Sequence, residues 1–134
     1  MPLLTLKVSH SEGPALVRPL AEAVTDLTAS VLRKKRDLTA VVADVVPPDQ
    51  WTIGGRTLAE QGVASFALEI RVTAGTNPDA EKAAYVEAVF DLMRRRLGPL
   101  HDASYVIVQD VPAEAWGFGG RTQAARYAAP AAAA

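Results

Sequence analysis

The sequence predicts an α/β fold of the α+β kind, in which two tandem β-α-β units form one four-stranded sheet with both helices on one face. Two observations predict it. The chain repeats itself with an offset of 65 residues, and within each repeat the apolar pattern changes from strand to helix and back to strand. Consecutive β-α-β units with right-handed crossovers pair into a single sheet. We expect one domain over 1–126, made of repeats 2–60 and 66–125, and a disordered alanine-rich tail over 127–134.

The repeat is clearest around two tryptophans. Residues 46–57 recur as 111–122, with seven of the twelve positions unchanged. Trp51 and Trp116 occupy the same position in the two copies, and each is followed by a Gly-Gly pair that predicts a tight hairpin turn. The two halves are therefore predicted to share their local structure.

Each half begins with a strand and continues with a helix. Apolar residues that alternate with polar ones indicate a half-buried strand: Leu4, Leu6 and Val8, then Leu68, Ile70 and Val72. Apolar residues at three- and four-residue steps then predict one buried helix face in each half: Leu20, Val24, Leu27 and Val31, then Tyr85, Val89 and Leu92. Segments 38–46 and 105–111 are apolar and β-branched, which is typical of a central strand.

Composition limits the function classes. The 134 residues include no cysteine and two histidines, so disulfides and thiolate chemistry are excluded, and we expect neither a metal nor another cofactor. A net charge of −1 argues against nucleic acid as a partner, since phosphate neutralisation needs a concentrated basic field. No signal peptide and no membrane-spanning segment are visible, which predicts a cytoplasmic protein that does not bind membranes. One sheet face has no helix to cover it, so we expect an oligomer with closed symmetry.

The start Pro-Leu-Leu after Met1, the β-α-β unit of about sixty residues and the Trp-x-Ile/Phe-Gly-Gly hairpin resemble 4-oxalocrotonate tautomerase and its fused relatives. The resemblance covers both halves, about 120 residues. It implies the tautomerase fold, a homotrimer, and a small 2-keto acid or enol as substrate. It also implies that the N-terminal proline, Pro2, acts as the base or acid.

The chemistry of Pro2 can also be argued from physical principles. Initiator methionine is normally removed before a small residue, and the removal of Met1 would leave Pro2 with a free secondary amine. Burial among the apolar strand ends near Leu4 and Trp116 disfavours the cation, so we expect the pKa of the amine to fall toward the working range of a general base.

Five further residues are candidates for the site. Trp116 or Trp51 is expected to close the pocket. Phe118 is a further candidate for substrate binding; it stands where water-activating relatives have a glutamate, which argues against the addition of water. Arg71 and Arg121 are candidates for the substrate carboxylate, because a guanidinium presents two parallel N–H donors. The carboxylate-binding arginine that the resemblance implies at the end of the first strand is replaced by other residues in both halves.

Two alternatives remain open. Asp37 resembles the aspartate of malonate semialdehyde decarboxylases, so Pro2 and Asp37 could together assist the loss of carbon dioxide. The missing family arginines favour the other alternative, a non-catalytic trimeric member of the superfamily. The basic runs 33–36 and 94–96 are interpreted as solvated helix ends.

Overall fold

The structure is a computed structural model that describes residues 1–128. Within them the chain forms twelve helices and strands, in the order β1 (Leu3–Ser9), α1 (Val17–Val31), β2 (Ala40–Val45), β3 (Thr52–Ile53), β4 (Arg56–Thr57), α2 (Leu58–Gln61), β5 (Ser65–Thr73), α3 (Asp79–Leu97), β6 (Tyr105–Val111), β7 (Gly117–Phe118), β8 (Arg121–Thr122) and α4 (Gln123–Ala128). Short 3-10 turns lie at Gly13–Leu16, Arg36–Leu38, Pro48–Gln50 and Ala113–Ala115.

Four strands form one mixed sheet in the order β2-β1-β5-β6. Each unit contributes a parallel pair, β1 with β2 and β5 with β6, and the antiparallel β1–β5 pair joins the two units. The predicted fold class is confirmed. The segments predicted to be central strands lie instead at the two edges, and that prediction is wrong. Their apolar residues on the uncovered face gave them the composition of strands that are buried on both faces.

The core lies between the sheet and the two long helices. The predicted helix face is confirmed, because Leu20, Val24, Tyr85 and Val89 are buried against the strands. One polar contact joins the helices inside this layer. The Tyr85 hydroxyl donates to Thr28 Oγ1 at 2.8 Å, while Thr28 donates to the Val24 carbonyl. Burial raises the pKa of Tyr85 to about 12, so its hydroxyl keeps its proton at any physiological pH.

The opposite face of the sheet has no helix among residues 1–128. Large apolar side chains are exposed there, namely Leu3 at 37%, Ile107 at 49%, Val42 at 56% and Tyr105 at 57%. They lie on β1, β2 and β6, and β5, which places Arg71 opposite Leu3, separates β1 from β6. We call this surface the open face.

The two hairpins lie at opposite ends of the sheet. The β3–β4 hairpin follows the end of β2, where Val46 N–H donates to the Val8 carbonyl. The β7–β8 hairpin follows the end of β6, where Ala74 N–H donates to the Val111 carbonyl. Because β5 is antiparallel to β1, this second end is also where β1 begins. The length of a seven-residue strand, about 23 Å, separates the two ends.

The last helix changes the predicted boundary of the tail. Thr122 Oγ1 accepts a hydrogen bond from Ala125 N–H at 3.0 Å and caps α4, whose alanines favour helix. Tyr127 and Ala128 belong to this helix, although the sequence predicts a disordered segment from 127. The rest of that predicted tail, 129–134, lies outside the described residues. None of the helices in residues 1–128 is long and apolar enough to cross a membrane.

Candidate active site

Pro2 lies buried at the start of β1, next to an apolar cavity of about 260 Å³. Its carbonyl accepts a hydrogen bond from Ala40 N–H at 3.2 Å, which ties it to the first residue of β2. The cavity, called here the Pro2 cavity, is lined by Met1, Pro2, Leu3, Leu38, Ala40, Trp116, Gly117 and Phe118. Within the described part of the chain, no charged side chain lines it.

A second pocket, of about 480 Å³, adjoins the first. It contains five cationic side chains and is called here the cationic pocket; its lining residues are Met1, Arg33, Lys34, Lys35, Arg121, Gln123, Arg126 and Tyr127. Met1 lines both spaces. Met1 therefore lies between the Pro2 cavity and the cationic pocket.

The end of α1 brings three of the cations to this pocket. Arg33 has a left-handed backbone with φ 57°, which turns the chain out of the helix. Its guanidinium holds that turn by donating to Glu81 of α3 at 2.8 and 3.1 Å. Lys34 Nζ donates to Thr76 Oγ1 at 2.8 Å, so the loop is fixed against the segment before α3 as well.

The last helix brings Arg126 to the same pocket. Its guanidinium carbon lies 4.6 Å from the centre of the Phe118 ring, a cation–π contact. Its Nη1 donates to Gln123 Oε1 at 2.9 Å and also lies 3.4 Å from the sulfur of Met1. Arg126 thus connects the aromatic wall of the Pro2 cavity to the cationic pocket.

The pocket disfavours positive charge. Burial lowers the pKa of the Met1 amine below its usual value, and the nearby charges of Lys34, Arg126 and Lys35 lower it further. The pKa of Lys34 itself is lowered, by burial first and then by Arg33, with a partial offset from acidic neighbours. An amine at this end of β1 is therefore easier to deprotonate than one in water.

The other end of the sheet has a pocket of about 410 Å³ that corresponds to the cationic pocket through the repeat, but its lining is different. Leu3 pairs with Ala40, and Ala67 pairs with Tyr105, so Leu3 and Ala67 occupy equivalent positions in the two halves. The counterpart of Pro2 is therefore Phe66, which is fully buried within the chain and has no free amine. The counterpart of Lys34 is Pro99, which lines this pocket of about 410 Å³. The amine and the cations thus occur together at one end.

Three of the predicted site residues come together with Pro2. Trp116 and Phe118 line the Pro2 cavity, and Arg121 lines the cationic pocket. Trp51 does not, because the β3–β4 hairpin lies at the far end of the sheet.

Arg71 and Asp37 also lie outside both spaces. Arg71 is paired in register with Leu3 on the open face. Asp37 lines a shallow depression beside α1 with Arg18 and Arg36, although its neighbour Leu38 lines the Pro2 cavity.

Four residues of the site were not predicted: Lys34, Lys35, Gln123 and Arg126. The sequence contained one signal for them, a divergence between the repeats. Lys34 stands where the second half has Pro99, and Arg126 stands where the first half has Gln61. The interpretation of 33–36 as a solvated helix end is incomplete, because Lys34 and Lys35 line the cationic pocket beside the start of β1.

Comparisons with known proteins agree with this geometry. The model of the tautomerase enzyme family matches residues 67–126. No curated protein sequence matches the chain. Native fused 4-OT is similar in structure, with a TM-score of 0.79, 22% identity, and coverage of 92% of this chain and 97% of that one.

Two other solved structures are similar in the same way. A fused 4-OT that forms a symmetric trimer, Q0, has a TM-score of 0.77 and 19% identity, with coverage of 92% of this chain and 98% of its own. Pt0534, solved after inactivation by 2-oxo-3-pentynoate, has a TM-score of 0.80 and 14% identity over the same shares. Residues 67–126 thus match the tautomerase enzyme family, and across both of its halves the chain has the fold of the fused 4-OT proteins.

Proposed function

We propose that this chain is a proton-transfer enzyme, a keto–enol tautomerase that acts on a small 2-keto acid, its enol or a related carbonyl compound. The observation that carries the proposal is that Pro2 lines an apolar aromatic cavity, while the residue before it, Met1, lines both that cavity and the cationic pocket. Such an arrangement suits a substrate with an apolar carbon skeleton and an anionic end.

Pro2 is the proposed catalytic residue. With Met1 removed, the secondary amine lies within one residue of the position where burial and three cations lower the pKa of the Met1 amine. Its unshared pair would accept the proton of an enol hydroxyl as the C=O bond forms. The ammonium would then return a proton to the carbon at the far end of the former C=C bond, which completes an isomerisation with no other reactant.

The remaining side chains have binding roles in this proposal. Trp116 and Phe118 contact the carbon skeleton and exclude water from it. Arg121 and Lys34 hold the anionic group of the substrate and so take the place of the family arginines that this sequence lacks. The position of Asp37, in a separate depression, gives the decarboxylase alternative no support.

Turnover tests the proposal directly. The purified protein is incubated separately with phenylenolpyruvate, a 2-hydroxydienoate and malonate semialdehyde, and each reaction is followed by ultraviolet absorbance or release of carbon dioxide. We expect faster ketonisation of at least one enol and no decarboxylation. Carbon dioxide release without ketonisation would support the decarboxylase, and inertness toward all three would support the non-catalytic alternative.

A covalent probe tests the position of the amine. Pt0534 was solved after inactivation by 2-oxo-3-pentynoate, an electrophilic alkyne to which an amine can add without a leaving group. We expect intact-mass spectrometry to show a protein that lacks Met1 and gains one equivalent of this reagent on the peptide that begins with Pro2. Labelling of lysines in preference to Pro2, or retention of Met1 in cells, would contradict the proposed mechanism.

A further inference from the structure

The cationic pocket holds more positive charge than one carboxylate requires. Arg33 is neutralised by its ion pair with Glu81. Lys34, Lys35 and Arg126, together with Arg121, form no ion pair with any acid in residues 1–128. Glu81 and Asp110 partly offset the charge of Lys34. Four cations without an ion-pair partner in residues 1–128 still repel one another around one space of about 480 Å³, and an anion between them would relieve that repulsion.

Gln123 adds a directional donor to the same pocket. Its side chain is fully buried, and its Oε1 accepts the hydrogen bond from Arg126. Its Nε2 has no acceptor in the described part of the chain. A buried N–H group without an acceptor is costly, and such groups in a folded protein call for an explanation. An oxyanion bound in the pocket that Gln123 lines would supply the missing acceptor.

The first half of the chain serves as an internal control for the charge. Arg56 is the counterpart of Arg121, and its Nε lies 3.6 Å from Glu60. The counterpart of Glu60 in the second half is Ala125. Arg121 therefore lacks the acid that neutralises the equivalent arginine, which leaves its charge for a ligand.

The same comparison applies to the buried amide. Gln123 stands where the first half has Leu58, which is also buried. An apolar side chain thus fills this position without any polar partner, so a glutamine is not needed there for packing. Its presence beside Arg126, where the first half has Gln61, indicates a polar ligand at this end alone.

We propose that the cationic pocket binds a compact dianionic oxyanion, the phosphate or phosphonate group of the substrate, with Gln123 Nε2 as a directional donor to one of its oxygens. This inference rests on the proposed function and assigns the substrate class. Two separated carboxylates fit less well, because the Pro2 cavity has no charged side chain from residues 1–128 to hold the second one. Both negative charges must therefore lie in the cationic pocket.

Binding can be measured by calorimetry at constant ionic strength, independently of turnover. The probes are inorganic phosphate, methylphosphonate, malonate and acetate. We expect phosphate to bind at least about tenfold more tightly than acetate, since a dianion gains about twice the interaction with the same cations. Methylphosphonate should match phosphate, because the group is proposed to be carried by a substrate. Equal affinity for acetate, tighter binding of malonate, or binding of phosphate without methylphosphonate would each overturn the proposal.

Two variants test the named residues without creating a cavity. Gln123→Leu copies the first half, and we expect it to weaken phosphate binding about tenfold, the value of a hydrogen bond to a charged group. Ala125→Glu restores the acid beside Arg121 and should weaken phosphate binding by a similar factor. Arg95→Gln, at the exposed end of α3, removes a cation far from the pocket and serves as the control. Parental phosphate affinity in both variants would refute the assignment.

The outcomes separate this inference from the proposed function. Phosphate binding that depends on Gln123, in a protein that turns over no enol, would keep the oxyanion site and remove the tautomerase. Ketonisation of monocarboxylate enols, with no preference for phosphonate-bearing ones, would keep the tautomerase and remove the oxyanion site.

Discussion

Nine prolines occur in the chain, and Pro2 alone can gain a basic nitrogen, since the others are tertiary amides within the chain. Replacement of Pro2 by alanine would leave a primary amine with a different basicity and a freely rotating position. We expect Pro2→Ala to lower kcat/KM by about 10²–10⁴-fold on any substrate that is turned over, the range that general acid–base groups supply. The assay is the ketonisation followed by absorbance.

The matched control for that substitution is Pro19→Ala, which changes an exposed proline in the first turn of α1. It should leave the rate unchanged. A Pro2→Ala protein that is folded and turns over its substrate at the parental rate would rule out Pro2 as the base.

The pH dependence of the reaction should report on Lys34. Because Lys34 lowers the pKa of the amine at this end of β1, Lys34→Gln removes a charge that disfavours the ammonium. The pKa of the Pro2 amine should then rise, so the ascending limb of kcat/KM against pH should move to higher pH. Arg95→Gln should leave the midpoint in place. A midpoint that stays fixed, or moves to lower pH, in Lys34→Gln would contradict this electrostatic role.

The end of α1 contains a strained residue, Arg33, which contacts with α3 stabilise. Arg33 adopts φ 57°, whereas its counterpart at the end of α3 is Gly98, which adopts φ 77° without steric cost. A left-handed arginine is costly unless its surroundings hold it. Glu81 stabilises this conformation by accepting two hydrogen bonds from Arg33, and Asn77 also donates to Glu81 at 2.9 Å. The arrangement directs Lys34 and Lys35 toward the cationic pocket.

Loss of this contact should destabilise the protein in a pH-dependent manner. The pKa of Glu81 is lowered, mainly by its hydrogen bond from Arg33, so the contact contributes stability above the unfolded-state pKa of about 4.3. That contribution is lost as the pH falls through the lower pKa of the folded state. We expect Glu81→Gln to reduce Tm by about 1–4 °C at pH 7, and the difference from the parent to shrink below pH 4. Differential scanning calorimetry across pH measures both.

Glu22→Gln removes the exposed ion pair with Arg18 and provides the comparison for Glu81. Both side chains of that pair are more than half exposed, so its loss should change Tm less. A larger loss from Glu22→Gln than from Glu81→Gln would contradict the role of Glu81 in holding the end of α1.

The elements of the fold could be predicted because local periodicity reflects which side chains face the core. Alternation marked β1 and β5, and the step from Leu20 to Val24 marked the buried face of α1. The positions of β2 and β6 could not be predicted from composition, since apolar residues on the open face, such as Ile107, imitate those of a central strand. The site was predicted where the repeat or the resemblance pointed to it, as at Trp116.

Apart from Arg121, the cations of the site could not be predicted, since they come from distant parts of the chain. Lys34 and Arg126 are separated by most of the sequence, and they meet only because the end of α1 and the start of α4 flank the same end of the sheet. A basic run after a helix also has a local explanation in the helix dipole, which hides its second role. The burial of Gln123 likewise depends on packing that no local pattern encodes.

At the scale of the whole molecule, the duplication has produced two unlike ends. A symmetric repeat would place equal pockets at both ends of the sheet. One pocket instead contains Met1 and five cationic side chains, whereas the other is lined mostly by apolar residues. Fusion of two units frees the second from the need for its own terminal amine. We therefore expect one reactive site per chain, which the stoichiometry of labelling by 2-oxo-3-pentynoate measures.

The open face leads to the last prediction, a homotrimer. Leu3 and Val42 lie on the paired strands β1 and β2, and Tyr105 and Ile107 lie on β6, so the face carries two apolar patches that a monomer would seldom leave in water. A fused 4-OT of the same fold was solved as a symmetric trimer, and three copies around one axis would cover this face on every subunit. Light scattering should give about three times the chain mass of 14.2 kDa.

Ile107→Asp should shift the protein toward monomers, because it would bury a charge without a partner. Val86→Asp changes an exposed apolar residue on the helical side and should leave the trimer intact. A parental protein that stays at the mass of one or two chains, or an Ile107→Asp variant that remains a trimer, would show that the open face is not the interface.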